Sequence, residues 1–183
     1  MRVISGSARG RRLKPPGNLK IRPTSDRVKE ALFNIIRERV PGSVFLDLFA
    51  GTGNVWIEAL SRGAALAVFV EQHHKTIQLI KENLSLTGFN DDATLVKGNI
   101  PSCFNNLSTM AVRYDLVFMD PPYLKNLITA ALTGIDEYKL LVPGGQVIVE
   151  CSKLEDLPQE VNSLRLMRME KYGDTVLGFY MDI

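Results

Sequence analysis

Val44-Phe45-Leu46-Asp47-Leu48-Phe49-Ala50-Gly51-Thr52-Gly53 decides how this chain is to be read. An apolar, strand-forming run passes into a turn with two glycines and then into a helical stretch, the context that a nucleotide-type cofactor site requires. Glycine at 51 and 53 lets the backbone approach a ligand closely. No Gly-Lys-Ser/Thr follows, so triphosphate binding is disfavoured. Asp47 sits near the end of the run, where a carboxylate attracts a cationic amino group and repels a pyrophosphate at close range. That sign favours an amino-acid-bearing cofactor over a dinucleotide, and makes Asp47, Phe49, Ala50, Gly51, Thr52 and Gly53 candidate cofactor contacts. A loop of this kind, standing alone, also serves as a plain strand-to-helix turn.

Outward from this loop the sequence alternates short β-rich runs with helical stretches. Residues 44–49, 67–71, 93–96, 116–120 and 146–150 have strand character, and 55–62, 75–86, 102–109 and 124–140 fill helices between them. Before the first strand, Thr24 or Ser25 can cap a helix with Asp26 at its positive end and apolar residues at Val28, Ala31, Leu32, Ile35 and Ile36; Pro41-Gly42 stops it. Strands alternating with helices predict right-handed crossovers and a mainly parallel sheet with helices on both faces, a Rossmann-like α/β domain. The rhythm changes at the end, where 164–171 and 175–182 flank Tyr172-Gly173-Asp174 and predict an antiparallel hairpin on the sheet edge.

Two further positions fall in register with the loop. Glu71 ends the second strand, 18 positions beyond Gly53, where a carboxylate binds ribose hydroxyls; it also suits an ordinary solvated strand end. Asn99, past the third strand, can donate to and accept from an adenine edge, with Ile100 offering an apolar face. Both also fit a simple loop.

The fourth strand runs directly into Asp120-Pro121-Pro122-Tyr123, at the carboxyl edge where open α/β sheets hold ligands. Two prolines fix φ and remove two N–H donors, so carbonyl groups dominate this stretch. An exocyclic amine presented here gives both its N–H bonds to fixed acceptors, Asp120 and the Pro121 carbonyl, which favours pyramidalisation and frees the nitrogen lone pair for attack on a methyl sulfonium. Tyr123 then supplies a face on which a flipped base stacks. An isolated proline turn has a structural reading too; its place after the glycine loop points to base-amine chemistry.

Composition bounds the rest. With 183 residues and 45% hydrophobic content the chain makes one domain, 1–183. Its longest apolar stretches fall far short of the roughly 20 residues that span a bilayer, and no signal-peptide core follows the N-terminus, so a soluble cytoplasmic protein is expected. Cys103 and Cys151 form no CxxC pair and the two histidines, His73 and His74, are adjacent, so neither a metal site nor a disulfide framework is expected. The net charge of +2 hides an asymmetry: residues 1–40 hold 11 Lys/Arg against 3 Asp/Glu, and residues 41–183 hold 11 against 17. A basic segment on an otherwise acidic domain attracts phosphate backbones. Arg9, Arg11 and Arg12 are broken by Gly10, Pro15, Pro16 and Gly17, so residues 1–23 are expected as a loop or short ribbon.

Over nearly its whole length the chain resembles the bacterial 16S ribosomal RNA guanine-N2 methyltransferases of the RsmD type. The matching stretches are Arg2-Val3-Ile4-Ser5-Gly6, Arg9-Gly10-Arg11-Arg12-Leu13, Arg22 to Asn34, Asp47 to Gly53, Glu58 to Ala64 and Asp120 to Tyr123. The block at Arg22-Pro23-Thr24 is the discriminating one, because the glycine loop and Asp-Pro-Pro-Tyr are shared with adenine-N6 and other amino methyltransferases. The resemblance implies a class I methyltransferase that binds S-adenosylmethionine at the Gly51 loop and methylates a guanine 2-amino group within an assembled or assembling small-subunit (30S) particle. It implies Glu71 on the ribose, Asn99 on the adenine, Asp120 and Pro121 on the target amine, and Arg22, Thr24 and Arg27, with Arg9, Arg11 and Arg12, toward RNA; a monomer is expected. Adenine N6 and a catalytically silent RNA-binding module are the competing readings. Two departures stand out. Asn99 replaces an acidic residue, and Asn54-Val55-Trp56 replaces the small residues that usually follow the second glycine, with Trp56 expected to face outward or to lie at the rim.

Overall fold

The computed structural model describes residues 1–19, 23–122 and 127–183. Five parallel strands form one side of an eight-stranded sheet: β1 (Val44–Asp47), β2 (Leu66–Glu71), β3 (Ala93–Lys97), β4 (Tyr114–Met119) and β5 (Leu141–Ser152). A short β6 (Glu160–Val161) and the hairpin β7 (Leu164–Tyr172) and β8 (Thr175–Asp182) complete it antiparallel, in the order β3-β2-β1-β4-β5-β8-β7-β6. The expected hairpin is there, inserted through β8 against β5. The sheet order reverses at β1, which lies between β2 and β4, and such a switch point opens a crevice at the carboxyl ends of the strands.

Helices α1 (Asp26–Ile35), α2 (Asn54–Ser61), α3 (His74–Thr87), α4 (Cys103–Thr109) and α5 (Leu127–Glu137) cover both faces. Side chains alternate along each strand. Phe45, Phe69, Phe118 and Ile148 pack with α1, α2 and α3, whereas Leu46, Val68, Val117 and Val149 pack with α4 and α5. Burial on both sides explains why the central strands are continuous apolar runs rather than alternating ones. Ser25 caps α1 by accepting from Val28 N at 3.3 Å, as its place before Asp26 predicts. Among the described residues, no helix is long and apolar enough to cross a membrane.

The N-terminal segment is a ribbon, pinned by an antiparallel bridge between Arg2 and Arg12. It does not float free. Val3, Ala8 and Leu13 are buried in the same core as α1 and α2, and Gly6, at φ +85°, lies so close to α2 that a Cβ there would sit 1.7 Å from Ser61 O. The Ile4 and Ser5 amides donate to Glu58 at 2.8 and 2.9 Å. As a result every residue of α2 is buried, because the sheet covers one side and the ribbon with α1 the other.

That enclosure corrects the expectation for Trp56. Its side chain is fully buried and stacks on Phe69 of β2, ring centroids 4.3 Å apart and 3° from parallel. An outward position does not exist on a helix with no exposed face. The helix still reaches the sheet because Gly53 carries no side chain: at φ +82° it needs a glycine backbone, and a Cβ there would lie 2.6 Å from Trp56 Cζ2. The bulk added at 56 fills the space left open at 53.

Candidate active site

Asp47, at the end of β1, is 2% exposed, and its carboxylate accepts from the Phe49 amide at 3.0 Å. Burial pushes its pKa up from 3.8 to about 7, with Glu71 and Glu150 adding repulsion. A buried carboxylate with one backbone donor is short of positive charge, and an α-amino or sulfonium cation would supply it. The loop beyond bends through Gly51 (φ 52°) and Gly53 (φ 82°), conformations that keep the backbone close to whatever lies above.

These groups face a cavity of about 590 Å³ at the sheet switch point. Asp47, Phe49, Ala50, Gly51, Thr52, Glu71, Asn99, Ile100, Asp120, Pro121 and Pro122 all line it, together with Thr24. Gly53 does not; it supports the turn from behind. Trp56 is likewise absent from the lining. Glu71 Oε1 accepts from the Gln72 and His73 amides, each at 2.8 Å, which holds the carboxylate at the strand end while Oε2 remains for a hydroxyl pair. The Ser102 hydroxyl donates to Asn99 Oδ1, so the amide turns its N–H groups to other partners. The volume, the acidic end at Asp47 and the polar end at Glu71 and Asn99 fit S-adenosylmethionine. Among the described residues no group of His, Cys, Asp or Glu is arranged to hold a metal ion.

Asp120 follows β4 and Pro121 is buried beside it. Tyr123 and Arg22 lie outside the described residues. Thr24, at 8% exposure, is held at both ends: its hydroxyl donates to Glu150 Oε2 at 2.8 Å and its carbonyl accepts from Asn54 Nδ2 at 3.0 Å. Asn54 Oδ1 in turn accepts from Lys29 Nζ at 2.7 Å, and Lys29 also bonds Arg2 O at 2.8 Å and meets Glu58 at 3.3 Å. Burial draws the Lys29 ammonium below its ordinary range while Glu58 pulls it back, and three acceptors around Nζ satisfy its three protons. Glu58 further holds Arg62 at 2.8 Å. The network joins ribbon, α1, α2 and β5 to one wall of the cavity.

The sequence left Thr24's partner and the role of Asn54 unread. Glu150 carried a signal: like Asp47, Glu71 and Asp120 it is an acid at the carboxyl edge of the parallel sheet. Arg9, Arg11 and Arg12 are exposed and border a shallow surface depression with Leu86; Arg11 Nη1 bonds Leu86 O at 3.0 Å. Arg27 is exposed on α1. A second link runs from this ribbon to the glycine loop, since the Lys14 amide donates to Asn83 Oδ1 at 2.7 Å and Asn83 Nδ2 donates to Thr52 O at 3.0 Å.

A parallel sheet with this order, its C-terminal antiparallel insertion and a crevice over the first strand define a Rossmann-like methyltransferase fold. "Putative methyltransferase yhhF from Escherichia coli" superposes with a TM-score of 0.85 at 31% identity, covering 100% of this chain and 97% of that one. The chain belongs to the family described as Conserved hypothetical protein 95, which matches residues 1–181. It is similar to "Putative rRNA methyltransferase YlbH" of Bacillus subtilis, 39% identical over 180 residues and covering 98% of both chains. It is also similar to Ribosomal RNA small subunit methyltransferase D of Escherichia coli, 32% identical over 184 residues, covering 98% of this chain and 89% of that one.

Proposed function

We propose that this chain methylates the exocyclic N2 amine of a guanine in small-subunit ribosomal RNA, using S-adenosylmethionine and acting on an assembled or assembling 30S particle. The observation that carries the reading is that Asp120 and Pro121 border the same cavity as the buried Asp47 and the glycine loop. The names of the relatives support rRNA as substrate.

S-Adenosylmethionine, when bound, supplies an electrophilic methyl group on a sulfonium. Asp47 and the loop from Phe49 to Thr52 would hold its amino-acid end, and Glu71 and Asn99 its nucleoside end. The Asp120 carboxylate and the Pro121 carbonyl accept the two N–H bonds of the target amine and turn its lone pair toward the methyl carbon. That lone pair would take the methyl group from the cofactor, which leaves as a neutral thioether, and Asp120 or water would take the proton that the amine then releases. Arg9, Arg12 and Arg27 meet the RNA backbone. A bulky Trp56 beside the glycine loop would favour the silent RNA-binding reading if it blocked the cofactor, but that side chain packs on β2 rather than into the cavity.

Incubation with methyl-labelled S-adenosylmethionine and small subunits from a strain lacking the activity is expected to yield N2-methylguanine after nucleoside digestion. N6-methyladenine, or unlabelled RNA, would overturn the assignment.

A further inference from the structure

The strand register places a second carboxylate beside Asp120. Asp47 pairs with Phe69 and Phe118, and Phe118 pairs with Ile148, so these residues share one face. Asp120, just past the end of β4, and Glu150, within β5, each stand one step beyond the Met119 and Val149 pair, in the register that continues the Phe118 and Ile148 face. Glu150 is 4% exposed and stands behind Thr24, which lines the cavity with Asp120 and Pro121.

A hydroxyl has one proton and two lone pairs. The Thr24 proton is committed to Glu150, and the Asn54 bond to the Thr24 carbonyl holds the residue in that pose. What the Thr24 hydroxyl can still offer the cavity is acceptance alone. The nucleobases differ at the atom next to their exocyclic amine. In guanine the N1–H beside the 2-amino group is a donor. In adenine N1, and in cytosine N3, the neighbour of the amine is an acceptor.

We propose that Thr24, polarised by Glu150, is the specificity-determining residue of this site: its hydroxyl accepts the N1–H of the target guanine and rejects bases that have no ring N–H beside their amine. Asp120 and Pro121 cannot make this distinction, since every exocyclic amine brings them the same two N–H groups. The inference rests on the guanine-N2 reading and deepens it. Glu150 acts through Thr24 and is a positioning residue.

The test uses the full chain and small subunits from a strain lacking the activity, the target being mapped first by its label. Reconstituted subunits then carry guanine or 2-aminopurine there; the second keeps the 2-amino group but has a bare N1. Single-turnover transfer by the unaltered protein is expected to favour guanine by about 100-fold, the scale of leaving paired acceptors in a buried site. Thr24→Val is expected to lower guanine methylation roughly 10- to 100-fold and to shrink that preference below about 5-fold, with S-adenosylmethionine affinity unchanged. Thr24→Ser restores it. Glu150→Gln removes the charge that polarises the Thr24 hydroxyl and lets an amide N–H compete for its oxygen, and is expected to shrink the preference without removing the Thr24 side chain. N2-methylguanine as product with a preference that survives both Thr24→Val and Glu150→Gln overturns the inference and leaves the activity standing. N6-methyladenine as product overturns both.

Discussion

Two aspartates in one cavity have opposite needs. Asp47 is buried where only its protonated form is comfortable without a ligand, with a pKa of about 7 against an ordinary 3.8. Between those values the folded chain keeps a proton that the unfolded chain has lost, so the stability of the ligand-free protein falls as pH rises through that window and stays low above it. Asp47→Asn, neutral and of the same shape, is expected to raise the melting midpoint at pH 8 by about 5–10 °C, the gain shrinking toward pH 4 in a thermal scan series. The same substitution is expected to weaken S-adenosylmethionine, whose cation the ionised form meets. In the unaltered protein calorimetric affinity should therefore drop roughly tenfold per unit below pH 7, and that slope should vanish in the variant. Asp120 is a different case, in the proposed function an acceptor for the target amine alone. Asp120→Ala is expected to abolish transfer while the cofactor Kd stays within about twofold; equal losses in both would contradict the role, since a lost acceptor on the amine acts on the transition state.

At the scale of elements, the alternating pattern gave away the parallel sheet and the C-terminal hairpin because each strand and helix carries its own period. The glycine turn and Asp-Pro-Pro were legible for the same reason, as contiguous words. What stayed hidden depends on pieces far apart. Asn54 reads as a helix start until Lys29 and Thr24 are beside it, and Trp56 reads as an oversized surface residue until the ribbon closes the outer side of α2. The Gly53 and Trp56 fit leads to a prediction by double-mutant cycle in denaturant. Gly53→Ala is strained both by its φ and by the indole, Trp56→Phe loses packing against Phe69, and the pair is expected to cost less than the sum by about 1 kcal/mol. Lys29→Met, which fits the space but strips Glu58 and Asn54 of their shared cation, is expected to destabilise by about 3–5 kcal/mol.

Across the whole molecule, the charge asymmetry read from the sequence takes shape as a cationic ribbon fixed to the body. Its arginines divide in use: Arg11 bonds Leu86 O, while the Arg9 and Arg12 heads are exposed. Replacing Arg9 and Arg12 by Gln is expected to leave the melting midpoint within about 2 °C and to flatten the plot of log affinity for RNA against log salt by roughly 1.4, two contacts at about 0.7 each. An unchanged slope would assign the ribbon to solubility alone. The Thr24 to Glu150 bond spans 126 positions, from just before the first helix to the fifth strand. A chain still being made therefore has its glycine turn and its Asp120 loop before it has the partner that fixes Thr24. On a ribosome translating this message, that wall of the cavity is complete only when β5 has emerged and found its place beside β4.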